Sequence, residues 1–128
     1  MKEATAQLNN LRMSPRKVRL VANYMRGKRA DELLSSLKFV PKAAGKPLQK
    51  LLESALANAR NLEIDTANLY VSNITVNSGA ILYRQLPTAR GRAFRLRKRT
   101  SKIVLTLGEK KGKGKKSEKK TQIKKNTK

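Results

Sequence analysis

Between Asp65 and Glu109 the chain carries eight cationic side chains and no acid: Arg84, Arg90, Arg92, Arg95, Arg97, Lys98, Arg99 and Lys102. Arg95, Arg97 and Arg99 alternate with Phe94, Leu96 and Lys98. Alternate residues of an extended strand share a face, so this spacing predicts a ladder of guanidinium groups along one side. The chemistry open to such a ladder is anion binding. A guanidinium fork matches phosphate oxygens bidentately and its plane stacks on bases. A second cluster, Arg16, Lys17 and Arg19, follows Ser14-Pro15. Ser is a good N-cap and Pro is favoured at the first helical position, so these cations fall in the first turns of a helix. There they oppose the helix dipole by about 0.3–1 kcal/mol each, whereas the unpaired N–H groups of the same turn attract an anion. A bound phosphate satisfies both sets of donors.

Other chemistries find little to work with. The 128 residues include no Cys, His or Trp. That removes disulfides, thiolate metal sites and the commonest general base, and no metal or other cofactor is expected. The carboxylates are scattered. Asp31-Glu32 opens a helix, where the dipole favours acids, Glu53 lies mid-helix, and Glu63 and Asp65 follow a helix end. The Gly-Lys repeats of 112–116 lack P-loop spacing. With no long apolar run, no transmembrane helix is expected, and Met1-Lys2-Glu3-Ala4-Thr5 reads as a mature cytosolic terminus. Charge is the dominant property: 31 Lys and Arg against 8 Asp and Glu give a formal +23. So large an excess calls for a polyanionic partner, and nucleic acid is the usual one.

The elements that position these groups follow from periodicity. Ala4, Ala6 and Leu8 alternate with polar residues as in a short strand, and Asn9-Asn10 either turns it or widens it. Val18, Val21, Ala22 and Met25 extend the Ser14 helix, with Gly27 as its stop. Ala30, Leu33, Leu34 and Leu37 form one face of a shorter helix, ended by Phe39-Val40-Pro41. Leu48, Leu51, Leu52, Ala55, Leu56, Ala59 and Leu62 hold helical rhythm from Pro47 to about Leu62. Leu69 to Val76 reads as a strand whose apolar phase slips between Val71 and Ile74, which implies a bulge or two-sided burial. Ile103 to Leu107 is its match.

Asn77 to Lys102 then forms one long hairpin with its tip around Pro87 to Arg92. About ten residues at about 3.3 Å each reach roughly 30 Å. A domain with a radius of gyration of about 14 Å cannot hide that, so the hairpin should project. Gly108 to Lys128 holds ten Lys, two Glu and one branched aliphatic residue, Ile123, and disorder is expected there without a partner. The organisation expected is an α+β domain over 1–108, including a hairpin at about 77–102, and a Lys-rich tail over 109–128.

Several blocks in register resemble the large-subunit ribosomal protein twenty-two family. They are Ser14 to Ala22 with Arg26-Gly27-Lys28, Leu51 to Ala59, Arg84 to Ala93, and Lys98-Arg99-Thr100-Ser101. The resemblance spans about residues 3–107. It implies three helices on a small three-stranded antiparallel sheet with a long projecting hairpin. It also implies binding to large-subunit ribosomal RNA, a role in subunit assembly, contact with neighbouring ribosomal proteins, and a cytoplasmic ribosome, with the bacterial and organellar cases left open. The RNA-binding residues it implies are Arg12, Ser14, Arg16, Lys17, Arg19, Arg26, Lys28, Arg84, Arg90, Arg92, Arg95, Arg97, Lys98, Arg99 and Lys102. The implied tip, lining the exit tunnel beside the nascent polypeptide, comprises Leu82, Tyr83, Arg84, Pro87, Thr88, Ala89, Arg90, Gly91 and Arg92. The sequence departs from the family's usual pattern at Thr88 and Lys102, where a basic residue and His are usual, and at Ser78, where an acid is common.

Two other classes compete with this reading. An architectural DNA-binding protein can use a basic β-ribbon. A membrane-active peptide needs an amphipathic cationic helix, and the most basic segments here are a hairpin and a tail of low apolarity. Removing 109–128 should leave the fold intact by circular dichroism and make the dependence of RNA affinity on salt shallower. An unchanged slope would show that the tail contributes no phosphate contacts.

Overall fold

A computed structural model describes residues 2–109, so the expectation of a disordered tail from Gly108 falls outside the described residues except at Gly108 and Glu109. Those two instead end the last strand by pairing with its neighbours. The fold is α+β. Its elements are β1 (Glu3–Leu11), α1 (Pro15–Met25), α2 (Ala30–Leu37), α3 (Gly45–Asn61), β2 (Leu69–Ser78), β3 (Leu82–Pro87), β4 (Ala93–Lys98) and β5 (Ser101–Glu109). β5 lies between β1 and β2 in an antiparallel sheet, while β3 and β4 form a separate two-stranded ribbon.

One face of the sheet is apolar and the helices cover it. Ala4, Ala6, Val71, Ile74, Val76, Ile103, Leu105 and Leu107 are buried against the stripes read from the sequence, Val18, Val21, Ala22 and Met25 on α1 and Leu48, Leu52, Ala55 and Ala59 on α3. α3 packs on β1, α1 on β2, and α2 on α3. Both α3 and β1 contribute small buried residues, Ala4 and Ala6 on β1 and Ala55 and Ala59 on α3.

The slipped phase in β2 is a bulge. Val71 pairs with Leu107 and Asn73 with Thr106, leaving Ser72 unpaired, so Val71 and Ile74 both point inward although three positions apart. Asn9-Asn10 widens β1 and does not end it. The register shifts between Leu8 and Leu11, and Asn10 takes a positive φ of 56°. α3 begins at Gly45, two residues before Pro47, since a proline is tolerated in a first turn.

Two edge strands remain, and that of β2 is closed by the α1–α2 connection. Gly27, at φ +77°, donates to the Val71 carbonyl at 3.0 Å, and the Val71 amide donates to Lys28 at 3.0 Å. Arg26 donates to the Ile74 carbonyl at 2.9 Å, and Arg19 donates twice to the Val76 carbonyl, at 3.2 and 3.0 Å. Three successive outward carbonyls of an edge strand are thereby satisfied, which protects it from pairing with other chains.

The hairpin differs from the single ladder expected. β2 and β5 stay paired as far as Ser78 and Ser101, so Asn77, Ser78 and Lys102 belong to the main sheet. Pairing then lapses and resumes at Leu82–Lys98. The Gly79 amide donates to the Thr100 carbonyl at 2.9 Å, and the buried Thr100 hydroxyl donates to the Ala80 carbonyl at 2.5 Å. A Cβ on Gly79 would lie 2.5 Å from that hydroxyl. Ser101, fully buried, donates to the Met13 carbonyl at 2.6 Å and ties the β1–α1 loop to this elbow. The ribbon beyond it has six paired positions, about 20 Å at about 3.3 Å each.

Replacing both Arg19 and Arg26 by Ala should lower stability by about 1 kcal/mol for each residue, read as a lower urea midpoint with unchanged slope. Arg16→Ala, one turn away and exposed, is the control and should leave the midpoint in place.

Candidate nucleic-acid interface

The register of the ribbon sorts its side chains onto two faces. Tyr83 opposes Arg97, Gln85 opposes Arg95, and Pro87 opposes Ala93. The other face carries Leu82 with Lys98, Arg84 with Leu96, and Leu86 with Phe94. From Tyr83 to Arg99 every residue except the half-buried Thr88 is exposed. The guanidinium ladder thus has two rungs inside the strand, Arg95 and Arg97, and Arg99 lies past its end. Arg95 is braced, its guanidinium carbon 4.6 Å from the centre of the Tyr83 ring. That contact fixes a cation over an aromatic face and leaves its outward N–H groups for an anion.

The tip turns through two left-handed residues, Arg90 (φ 62°, ψ 32°) and Gly91 (φ 71°). Glycine adopts this conformation freely, whereas an arginine there costs about 1 kcal/mol. Thr88 closes the turn, its amide donating to the Arg92 carbonyl at 2.8 Å and its hydroxyl at 2.6 Å. Thr88, one of the departures from the pattern that the sequence resembles, therefore has a structural task.

At the base of the ribbon Lys17 of the second cationic cluster meets Arg97, Lys98 and Arg99 of the first. Arg12, Met13, Ser14, Lys17 and Leu20 form one wall of a cleft of about 800 Å³. Lys42, Ala43 and Ala44 form its floor, and Arg97, Lys98 and Arg99 the opposite wall. Six cations and no acid line it. Ser14 precedes α1 in extended conformation, yet its hydroxyl makes no capping bond. The helix starts on Pro15 without that bond, and Ser14 is left at the cleft wall. Lys42 has no signal in the sequence. It sits in the connection between α2 and α3, after Phe39-Val40-Pro41, and only the tertiary fold brings it to the cleft.

The remaining sequence candidates lie elsewhere. Arg16 is exposed in the first turn of α1, and Arg84, Arg90 and Arg92 are exposed along the ribbon. Lys102 is exposed on the face of β5 away from the helices. Arg19 and Arg26 spend part of their donor capacity on β2 carbonyls. Lys28 places its ammonium 3.2 Å from the centre of the Tyr24 ring. The Ser36 hydroxyl, and after it this ammonium, hold the Tyr24 phenol below its usual range. The resulting stabilisation is full only above the ordinary phenol value and is lost as pH falls through the lowered one. Among the described residues one ion pair forms, Arg29–Glu32 at 3.9 Å, with both side chains more than half exposed. The positive charge is otherwise not neutralised within the described fold. Among the described residues no helix is long and apolar enough to cross a membrane.

Comparison with known proteins bears on the same residues. The model of the family described as Ribosomal protein L22p/L17e matches residues 6–108. A large ribosomal subunit protein uL22 of Lactobacillus delbrueckii subsp. bulgaricus is 48% identical over 107 residues, covering 83% of this chain and 92% of that protein. Its namesake in Pelobacter propionicus is 46% identical over 110 residues, covering 85% and 99%. The Caldicellulosiruptor saccharolyticus protein of that name is 46% identical over 110 residues, covering 85% and 90%. The match takes in the elbow, the ribbon and both walls of the cationic cleft, and the chain belongs to the Ribosomal protein L22p/L17e family.

Proposed function

We propose that this chain is a structural, non-catalytic constituent of the large ribosomal subunit that binds large-subunit ribosomal RNA and supports subunit assembly. The observation that carries this reading is the acid-free cleft, where Arg12, Lys17, Lys42, Arg97, Lys98 and Arg99 converge from three separate segments. A phosphate seated there meets several donors at once, which a scatter of surface lysines does not provide. The printed names of the relatives, large ribosomal subunit proteins, support the same partner.

In this reading residues 1–108 are the RNA-binding domain and 109–128 a tail that adds nonspecific affinity. The ribbon projects between RNA segments, and Arg84, Arg90, Arg92 and Arg95 meet phosphates along it. Arg16, and the outward donors of Arg19, Arg26, Lys28 and Lys102, add contacts on the flanks. The tip, Leu82 to Arg92, forms part of the wall of the peptide exit tunnel beside the nascent chain. Neighbouring ribosomal proteins complete the surroundings, on a cytoplasmic ribosome. The strained Arg90 supports a role for the tip: a residue kept in a conformation that glycine would adopt at no cost is selected for its side chain.

Co-sedimentation with large subunits tests the assignment, and a crosslink from position 90 to a nascent chain tests the placement of the tip. Equal affinity for random duplex DNA and for ribosomal RNA would favour an architectural DNA-binding role instead. The triple variant Arg12→Ala, Lys42→Ala, Arg99→Ala should lower RNA affinity and flatten the salt slope by roughly two to three units, with little change in melting temperature. Arg90→Asn should keep or slightly raise the melting temperature, since Asn tolerates the left-handed region, while weakening association with the subunit. A large fall in melting temperature would argue that the tip is needed for folding.

A further inference from the structure

The second face of the ribbon does not look like a phosphate-binding surface. Leu86 is 48% exposed, Phe94 63% and Leu96 38%. All three share one face with Leu82, Arg84 and Lys98. None of the three belongs to the core or to the apolar residues packed against it. Water is a poor neighbour for such a strip, and phosphates are no better, since an apolar side chain offers them nothing. An occupant must therefore be flat and apolar where it meets Phe94 and Leu86, and anionic where it meets Arg84 and Lys98. A second copy of this chain would bring another +23 of charge to the same place. An acidic protein would supply the charge, yet the cleft at the base and the ladder on the opposite face already call for a string of phosphates.

Resting on the RNA-binding reading above, we infer that this face is a seat for unpaired nucleobases of the ribosomal RNA. One or two unstacked bases lie on Phe94 and Leu86, with their own phosphates held by Arg84 and Lys98. The ribbon is thus inserted between two strands, taking phosphates on the Arg95–Arg97 side and bases on the Phe94 side. Duplex RNA cannot occupy the base seat, because its bases are stacked inward and its grooves present hydroxyls and phosphates. Aromatic stacking tolerates any base, so the seat selects unpaired RNA and not a particular sequence.

The chain has no tryptophan, so Phe94→Trp introduces a single indole as reporter. With the full-length protein and short oligoadenylate as probe, indole fluorescence should be quenched on binding, and an RNA duplex of the same length should quench it far less. Phe94→Ala should weaken oligoadenylate binding on the order of tenfold with an unchanged salt slope, because no phosphate contact is lost. The pair Arg95→Ala, Arg97→Ala should instead flatten the slope. If Phe94→Ala binds oligoadenylate like the parent, or the indole is silent at saturation, while the arginine pair still weakens binding, the base seat is wrong and the phosphate reading stands. If neither ribosomal RNA nor oligoadenylate binds, both readings fall. If the parent self-associates in sedimentation and Phe94→Ala does not, the face belongs to a second copy and the inference is overturned. Phe94 is exposed, so its truncation leaves the core untouched, and an unchanged melting temperature checks this.

Discussion

Like charges held along one ribbon repel at separations below the Debye length, roughly 8 Å at physiological salt. Eight cations with no acid among them stand between Asp65 and Glu109, and the described residues offer one exposed ion pair elsewhere. The fold does not neutralise this charge. It does keep the charge away from the core: the buried set is almost wholly apolar, and the two buried polar residues, Thr100 and Ser101, are hydroxyls whose bonds stay within the elbow and its neighbouring loop. Stability then comes from the helix–sheet sandwich, and the cationic parts are left to be organised by whatever they bind.

The elbow is what turns a charged segment into an aimed one. A continuous two-stranded ladder would twist away from the sheet with only its own pairing to direct it, and an isolated hairpin is marginal in water. Here the ladder is interrupted at Gly79 and Thr100, the side chain of Thr100 bridges the gap, and Ser101 fastens the β1–α1 loop alongside. The same bonds hold Arg12 to Lys17 opposite Arg97 to Arg99. One small buried polar cluster therefore ties the start of the ribbon to the β1–α1 loop that lines the cleft. The arginines of α1 act in concert, since Arg19 and Arg26 pin the helix to β2 and so fix where its N-terminal cations stand.

The two faces of the ribbon divide the chemistry of a nucleic acid between them. Phosphate is charged, hydrated and directional, and suits guanidinium groups braced as Arg95 is by Tyr83. An unpaired base is flat and weakly hydrated on its faces, and suits an exposed aromatic. A surface offering both is suited to RNA that is folded but locally open, as the proposed function requires.

The sequence by itself determined the helices and the main strands, because each rests on a local periodicity, as with Leu48 to Ala59 at helical spacing and Ala4 to Leu8 in alternation. The phase slip between Val71 and Ile74 left a bulge and two-sided burial both open, and the pairing of β2 with β5 decided for the bulge. The sequence also pointed to an anionic partner, since net charge and an acid-free segment need no coordinates, and it determined the family, since its motifs are contiguous blocks. The tertiary structure alone decided which cations converge. Lys42 joins the cleft because the fold brings the connection before α3 beside the β1–α1 loop and the end of the ribbon, and no local signal marks it. Arg19 and Arg26, alike to Arg16 in the sequence, are drawn to carbonyls that become available only because β2 is an edge strand. The break between the sheet and the ribbon depends on a contact between residues 79 and 100, brought together by pairing across 21 positions. Local patterns fix elements because neighbouring residues share a backbone. A site assembled from distant segments exists only once those segments have packed.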